Sequence, residues 1–182
     1  RSSPRCSRAG QAWHPRAMRK SEPPNIFLPR VLKGNDAAVQ FVLSLASACH
    51  LWDDLIDRDK PVSDEEVNDA FWLMLISMPT NAFFREHADS FRPLMVCAAL
   101  NWQAATKFER ETDPSGDDKR LLECAHVIRS DYANIVIHAA YLIGGLTWAR
   151  QVTPEIRAWW MDEDFHDYLV ELASERSARN KE

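Results

Sequence analysis

Glycine is scarce in this chain, and that scarcity constrains the fold more than any other single feature. Only five of the 182 residues are glycine. Glycine supplies the positive-φ turns on which closely spaced strands depend, so its shortage favours helices over a turn-rich β fold. The sequence shows neither the apolar–polar alternation of strands nor an internal repeat. We therefore predict an all-α protein.

Capping residues and helix breakers divide the chain after residue 34 into about six helices. Asn35 is a candidate N-cap, and Ser63 with Glu66 forms a capping-box pattern. Gly144 and Gly145 are expected to stop a long helix. The predicted long helices cover about residues 36–57, 64–78, 91–111, 118–143 and 163–178, and short turns of helix are predicted at 82–87 and after Thr153-Pro154. Pro93 is expected in the first turn of the helix 91–111, and Asp162 is expected to cap the helix 163–178. We expect residues 35–182 to form a single-domain helical bundle.

The first 34 residues differ in composition from the rest. They include five prolines and hold eight of the 22 Lys and Arg residues but one of the 27 acids, so residues 35–182 carry a formal charge of −12. We expect residues 1–34 to form a disordered basic segment. Met18 is a candidate start, which would make residues 1–17 upstream sequence, and a transit peptide is the alternative interpretation.

Composition excludes several functional classes. An acidic body argues against a general nucleic-acid surface. The four cysteines are far apart and form no C-x-x-C pair, which argues against a zinc knuckle or a redox motif. Three of them lie in apolar helical surroundings, which favours reduced core residues in a reducing compartment and predicts a cytoplasmic protein. No apolar run reaches the roughly 18 residues that a membrane span needs. No P-loop, G-x-S-x-G or G-x-G-x-x-G motif is present.

The most informative local pattern is a stripe of acids at the end of the first predicted helix. His50, Asp53, Asp54 and Asp57 lie at i, i+3, i+4 and i+7, which places them on one helical face. Like charges on one face repel, and acids are unfavourable at a helix C-terminus. Water, basic partners or divalent cations must therefore compensate them, and Mg²⁺ is a cation that carboxylates bind together with substrate phosphates.

The stretch Asp53-Asp54-Leu-Ile-Asp57 resembles the first aspartate-rich motif of the class I isoprenoid (terpene and prenyl) synthases. The resemblance implies an isoprenoid-synthase-like helical core in which Asp53, Asp54 and Asp57 are catalytic and bind a diphosphate through Mg²⁺. It implies lyase or transferase chemistry. The chain departs from the family in two ways: residues 35–182 are roughly half the usual length, and the paired arginines expected after the motif are absent.

A second set of residues could complete such a site. Ser130, Asp131, Asn134 and His138 keep the spacing of the N-D-x-x-S-x-x-x-E motif of terpene cyclases, although the residue types differ. Glu163-Asp164-Phe-His-Asp167 resembles a second aspartate-rich motif, and its acids could equally stabilise the first turn of a helix. The predicted metal ligands are Asp53, Asp54, Asp57, Asp131, Asn134, His138 and His50, and the predicted diphosphate contacts are Arg58, Lys60 and Arg129. The histidines suit Mn²⁺ or Zn²⁺ better than Mg²⁺.

Two functions therefore remain open from the sequence. The first is a divalent-metal-binding protein that acts on a small diphosphate-containing substrate. The second is a non-enzymatic helical interaction module whose acids form a solvated or partner-binding face. The sequence is also similar in character to uncharacterised phage-encoded proteins. A di-iron bundle is disfavoured because the first helix offers no glutamate. A homodimer stays open in either case.

Overall fold

Every regular element that the structure describes is helical. The computed structural model describes residues 22–57, 61–116, 119–161 and 163–179, and within these ranges it contains no strand. The helices are α1 (Pro24–Val31), α2 (Asp36–Asp57), α3 (Asp64–Trp72), α4 (Ala82–Glu111), α5 (Arg120–Arg129), α6 (Ala133–Trp160) and α7 (Phe165–Arg179). None of them, over the same ranges, combines the length and the hydropathy that a membrane crossing requires. The all-α prediction is confirmed, whereas an isoprenoid-synthase-like core stays a prediction.

The first long helix and its caps follow the sequence closely. Helix α2 has the predicted bounds, and Oδ1 of Asn35 accepts a hydrogen bond of 3.0 Å from the backbone N–H of Ala38. At the start of α3, Oγ of Ser63 accepts from the N–H of Glu66 at 3.2 Å, and the Glu66 carboxylate accepts from the N–H of Ser63 at 2.8 Å. The reciprocal pair satisfies donors that a helix start otherwise leaves unpaired.

Helix α3 does not end cleanly at Trp72. A π-helical turn over Leu73–Ser77 continues it, and the helical turn Met78–Thr80 closes it. A π turn takes one more residue per hydrogen-bonded ring than an α turn and changes the direction of the side chains that follow. Met78 is buried, whereas four large apolar side chains on this segment are exposed: Phe71, Trp72, Leu75 and Ile76.

Helix α4 corrects the prediction of a short turn followed by a separate helix. It runs unbroken from Ala82 to Glu111, and Pro93 lies in its interior rather than in a first turn. Burial explains the continuity, since Phe84 and Phe91 pack on Phe41 of α2 with ring centroids 5.1 and 4.9 Å apart. Apolar packing on the inner side holds both halves together, while Pro93 occupies the exposed side.

The predicted helix 118–143 is divided into two. The helix expected after Thr153-Pro154 begins earlier, directly after Gly145. A 3-10 turn at Ser130–Tyr132 separates α5 from α6. Within α6 the backbone breaks at Gly145, where φ is 72° and ψ is −177°, a conformation open essentially to glycine alone. Tyr132 precedes the 28-residue α6 and Trp160 is its last residue, yet their ring centroids lie 4.8 Å apart. Residues 133–144 and 146–160 therefore fold back as the two arms of a hairpin.

Helix α1 corrects the expected disorder of residues 1–34 for its own residues, Pro24–Val31. For residues 1–21 that expectation stays a prediction. Phe27, Leu28, Val31 and Leu32 are buried in the main core, with Phe27 stacked on Trp159 at 4.6 Å between centroids. Pro24 occupies a first-turn position, where the missing N–H costs nothing, so proline is compatible with helix here. Residues 1–21 lie outside the described ranges. A smaller second core forms where Leu122 of α5 meets Tyr168 and Leu172 of α7.

Candidate functional site

The acids at the end of α2 are compensated by an arginine. Arg129, the last residue of α5, donates from Nη1 to Oδ1 of Asp53 at 3.0 Å and from Nη2 to Oδ2 of Asp57 at 3.3 Å. Asp53 also accepts a hydrogen bond of 2.9 Å from the indole N–H of Trp102 on α4. A second cation, Arg110 of α4, lies 3.8 Å from Asp57. Of the three compensating agents considered from the sequence, basic partners are the one that these contacts display.

Glu109 of α4 is the best-buried acid of this group. Its side chain is 5% exposed, and both of its oxygens accept from Arg129, from Nε at 2.5 Å and from Nη2 at 2.5 Å. The hydroxyl of Tyr168 on α7 donates to Oε1 at 2.6 Å. A bidentate arginine–carboxylate pair is the strongest form of this contact. We refer to Asp53, Asp57, Glu109 and Arg129 as the arginine cluster.

The pKa shifts describe groups that depend on one another. Burial raises the pKa of Asp53, against the opposing charge of Arg129, and the negative charge of Asp57 adds to the rise. Burial alone would lower the pKa of Arg129, but its hydrogen bonds to Glu109 and the charges of the three acids raise it. The pKa of Tyr168 is raised by burial and by its bond to Glu109. Arg129 therefore stays charged at any physiological pH and holds the acids together.

This arrangement does not fit the Mg²⁺ that the family resemblance implies. The carboxylates of Asp53 and Asp57 face a guanidinium, which repels a divalent cation. Over the described ranges, no three or more His, Cys, Asp or Glu side chains are grouped so that they could hold a metal ion. Asp54 is half-buried and His50 is exposed. Arg58 and Lys60 lie outside the described residues, so their predicted diphosphate contact stays a prediction.

The other predicted ligands form a separate set on the first arm of α6 and just before it. Asp131 accepts hydrogen bonds from the side-chain amides of Asn101 and Asn134, the latter at 3.1 Å. The Oδ1 of Asn134 in turn accepts from Arg157 on the second arm. These bonds tie the hairpin arms to each other and to α4, which is a structural role.

His138 lies one helical turn beyond Asn134. Its ring stands edge-on to Phe91 at 5.1 Å between centroids, and burial, followed by the charge of His87, lowers its pKa. Its Nε2 is buried without a hydrogen-bond partner among the described residues.

Sequence reasoning missed Glu109, Trp102 and Tyr168. Glu109 stands beside Arg110 near the end of a long helix, where charged residues usually form a solvated face. The one feature that could have indicated its burial is its position, because Glu109 lies on the same side of the helix as the buried Ala105 and Thr106. The sequence predicts Arg129 as a diphosphate contact, and in the structure its side chain binds acidic side chains. The diphosphate contact stays a prediction.

A shallow groove of about 480 Å³ lies next to the arginine cluster, between α2 and α4. Its lining combines two tryptophans with charged side chains: Trp52, Ile56, Trp102, Lys107, Arg110 and Glu111. Lys107 lies 3.9 Å from Glu111, and with Arg110 the lining carries two cations and one acid.

Comparison with protein-family models, with curated proteins and with solved structures found no match. The fold and this geometry define an all-helical protein in which the carboxylates of Asp53, Asp57 and Glu109 converge on one guanidinium. Its function must be inferred from its own surfaces.

Proposed function

We propose that this protein is a non-enzymatic helical interaction module that binds a basic amphipathic helix of a partner protein on the exposed side of α3. One observation carries the proposal: Phe71, Trp72, Leu75 and Ile76 are 62, 64, 65 and 45% exposed. Isolated apolar side chains on a surface are normal, but four large ones in a row are not.

The spacing of these four residues makes them one surface, which we call the α3 face. They occupy positions i, i+1, i+4 and i+5 of a continuous helical segment, so they are neighbours on its outer side. Together they expose on the order of 500 Å² of mainly apolar surface, which is as large as the main patch of a typical monomer. Aromatic side chains at such a patch are the usual anchors of protein–protein contacts.

Charge identifies the kind of partner. Residues 64–80 contain four acids and no lysine or arginine: Asp64, Glu65, Glu66 and Asp69. A partner helix with its own apolar side and flanking lysines or arginines matches both the apolar row and the negative charge. A second copy of this chain would bring the same acids to the contact and would be repelled, so the α3 face favours a different protein.

Two acids of α2, Asp53 and Asp57, are paired with Arg129, so we place the partner on the α3 face rather than on these acids. Metal-dependent action on a diphosphate stays a prediction, and no contact in the described ranges favours it over the interaction module.

The test uses a fluorescent model peptide of about 18 leucines and lysines in helical period, with a leucine–glutamate peptide of the same pattern as its counterpart. Anisotropy titration measures both peptides against wild-type protein, the double variant Phe71→Ser/Leu75→Gln, and the control Val170→Ser. Val170 is 58% exposed on α7, so the control removes a comparable apolar side chain elsewhere. We expect the lysine peptide alone to bind, with at least tenfold weaker binding to the double variant and unchanged binding to the control.

Three results would contradict the proposal. One is equal binding of the lysine peptide to wild type and the double variant. Another is a wild-type dimer in sedimentation that the double variant abolishes, which would assign the α3 face to self-association. A third is tighter peptide binding after deletion of residues 1–21, which would assign the face to the chain's own basic segment.

A further inference from the structure

A second groove lies along the hairpin of α6, and none of its lining residues belongs to the arginine cluster. The groove has a volume of about 580 Å³ and lies mainly between the two arms, against α4. Its lining is largely apolar and includes Leu94, Ile137, Tyr141, Leu146, Ala149 and Arg150. Tyr141 and Leu146 are among the exposed large apolar side chains of the molecule. Gly144 and Gly145 create this hollow because their tight turn sets the arms side by side.

Two polar groups on this groove have no hydrogen-bond partner among the described residues. Arg150 is exposed and forms no ion pair or hydrogen bond with any residue in the described ranges. His138 also lines the groove, and its enclosed Nε2 is without a hydrogen-bond partner there. Most buried polar atoms of folded proteins are paired, so an orphan of this kind indicates packing that stability alone does not explain.

We propose that this groove binds an amphiphilic carboxylate, a small molecule with an apolar tail of roughly ten carbons, which suits a cleft of this size. The tail lies against Leu94, Ile137 and Leu146, where it loses contact with water. The carboxylate reaches Arg150, whose guanidinium presents a planar pair of donors to it. Charge selects the head group, since no carboxylate among the lining residues opposes an anion.

Alternative ligand classes fit less well. A cation would meet Arg150 and a neutral or positive imidazole with no acid in the lining. A purely apolar molecule would leave Arg150 without a role. Sugars and free nucleotides need many polar partners, whereas most of this lining is aliphatic or aromatic.

Isothermal titration calorimetry with decanoate, below its micelle concentration, tests the site. 1-Decanol supplies the same tail without the charge, and acetate supplies the charge without the tail. The variants are Arg150→Gln, Arg150→Lys and Leu146→Ser, with Arg85→Gln as the control because Arg85 is an exposed arginine outside this groove. Circular dichroism verifies that each variant keeps the wild-type helix content.

We expect saturable one-to-one binding of decanoate, at least tenfold weaker in Arg150→Gln and several-fold weaker in Leu146→Ser. Arg150→Lys should bind with an affinity between those of wild type and Arg150→Gln, because it keeps the charge but not the planar pair of donors, and Arg85→Gln should keep the full affinity. 1-Decanol and acetate should each bind at least tenfold more weakly than decanoate. Absence of saturable decanoate binding, equal affinity of Arg150→Gln, or 1-decanol binding as tight as that of decanoate would each overturn the proposal.

Discussion

Replacing Arg129 by glutamine is the most direct test of what holds the end of α2 in place. Arg129 makes two bonds to Glu109 and one each to Asp53 and Asp57. After the change, Asp53 still accepts from Trp102, and Asp57 still lies 3.8 Å from Arg110. Among the described residues, Glu109 keeps Tyr168 as its one side-chain donor while its carboxylate stays buried.

The expected loss in the free energy of unfolding follows from the contacts that the acids lose and keep. Leaving one partner of a buried ion pair uncompensated costs about 3–5 kcal/mol. Because two of the three acids keep other partners, we expect the lower end, about 3 kcal/mol at neutral pH. For a chain of this size that corresponds to a fall in Tm of roughly 6–12 °C.

The loss should also depend on pH in a defined direction. Burial already raises the pKa of Asp53, and the positive charge of Arg129 opposes that rise. Without Arg129 the pKa of Asp53 in the folded state moves further above its unfolded value. An acid with a raised folded pKa favours the folded state at low pH and loses that contribution as pH rises through the folded pKa. The variant should therefore be closer to wild type at about pH 4 than at pH 7.

Urea unfolding followed by tryptophan fluorescence at both pH values measures the effect. The double variant Glu109→Gln/Arg129→Gln should recover at least about 1 kcal/mol of the single-variant loss, because no buried charge is left at Glu109. Arg92→Gln is the control, since Arg92 pairs with Asp89 on the open surface and should change nothing measurable. A loss below about 1 kcal/mol for Arg129→Gln, or the same loss at both pH values, would refute the view that this arginine organises the acids.

Two further expectations follow from the same structure. Mg²⁺, Mn²⁺ and Zn²⁺ at millimolar concentration should leave Tm unchanged, because the guanidinium of Arg129 already contacts the carboxylates of Asp53 and Asp57. A rise that Asp53→Ala abolishes would instead support the predicted metal site. Gly145→Ala should lower the free energy of unfolding, measured in urea, by about 1–3 kcal/mol, because its φ of 72° with ψ of −177° is closed to alanine. The control Thr147→Ala, nearby, should not lower it. An unchanged free energy for Gly145→Ala would show that the hairpin turn relaxes.

Local signals predicted the helices well where neighbouring residues decide the structure. Asn35 and Ser63 begin helices in the structure as expected, because a cap depends on residues within one turn. Packing between distant segments decided the elements that the sequence did not predict. Helix α1 contains prolines and looked irregular, yet Phe27 and Leu28 are buried against later helices. The break at Ser130 lacks a glycine or proline that would announce it.

The site was less predictable than the fold for a related reason. The phase of α2 correctly placed Asp53 and Asp57 on one side, but the partners of that side lie far along the chain. Arg129 and Glu109 come from helices whose relative rotation no local pattern records. The aspartate-rich pattern drew attention to Asp53 and Asp57, whereas the contact of both residues with Arg129 depends on tertiary packing.

The π turn at Leu73–Ser77 sets the angular relation between the two ends of its helix. Removing one residue there would restore a regular α spiral with little rotation of Phe71 and Trp72 relative to Met78, because a π turn absorbs one extra residue within a single turn. Met78 is anchored in the core, and the aromatic pair would stay on the outer side. A single-codon deletion within the turn would thus change which aliphatic side chains follow the aromatic pair without reorienting that pair, which makes this short stretch the place where the surface can change while the rest of the bundle stays the same.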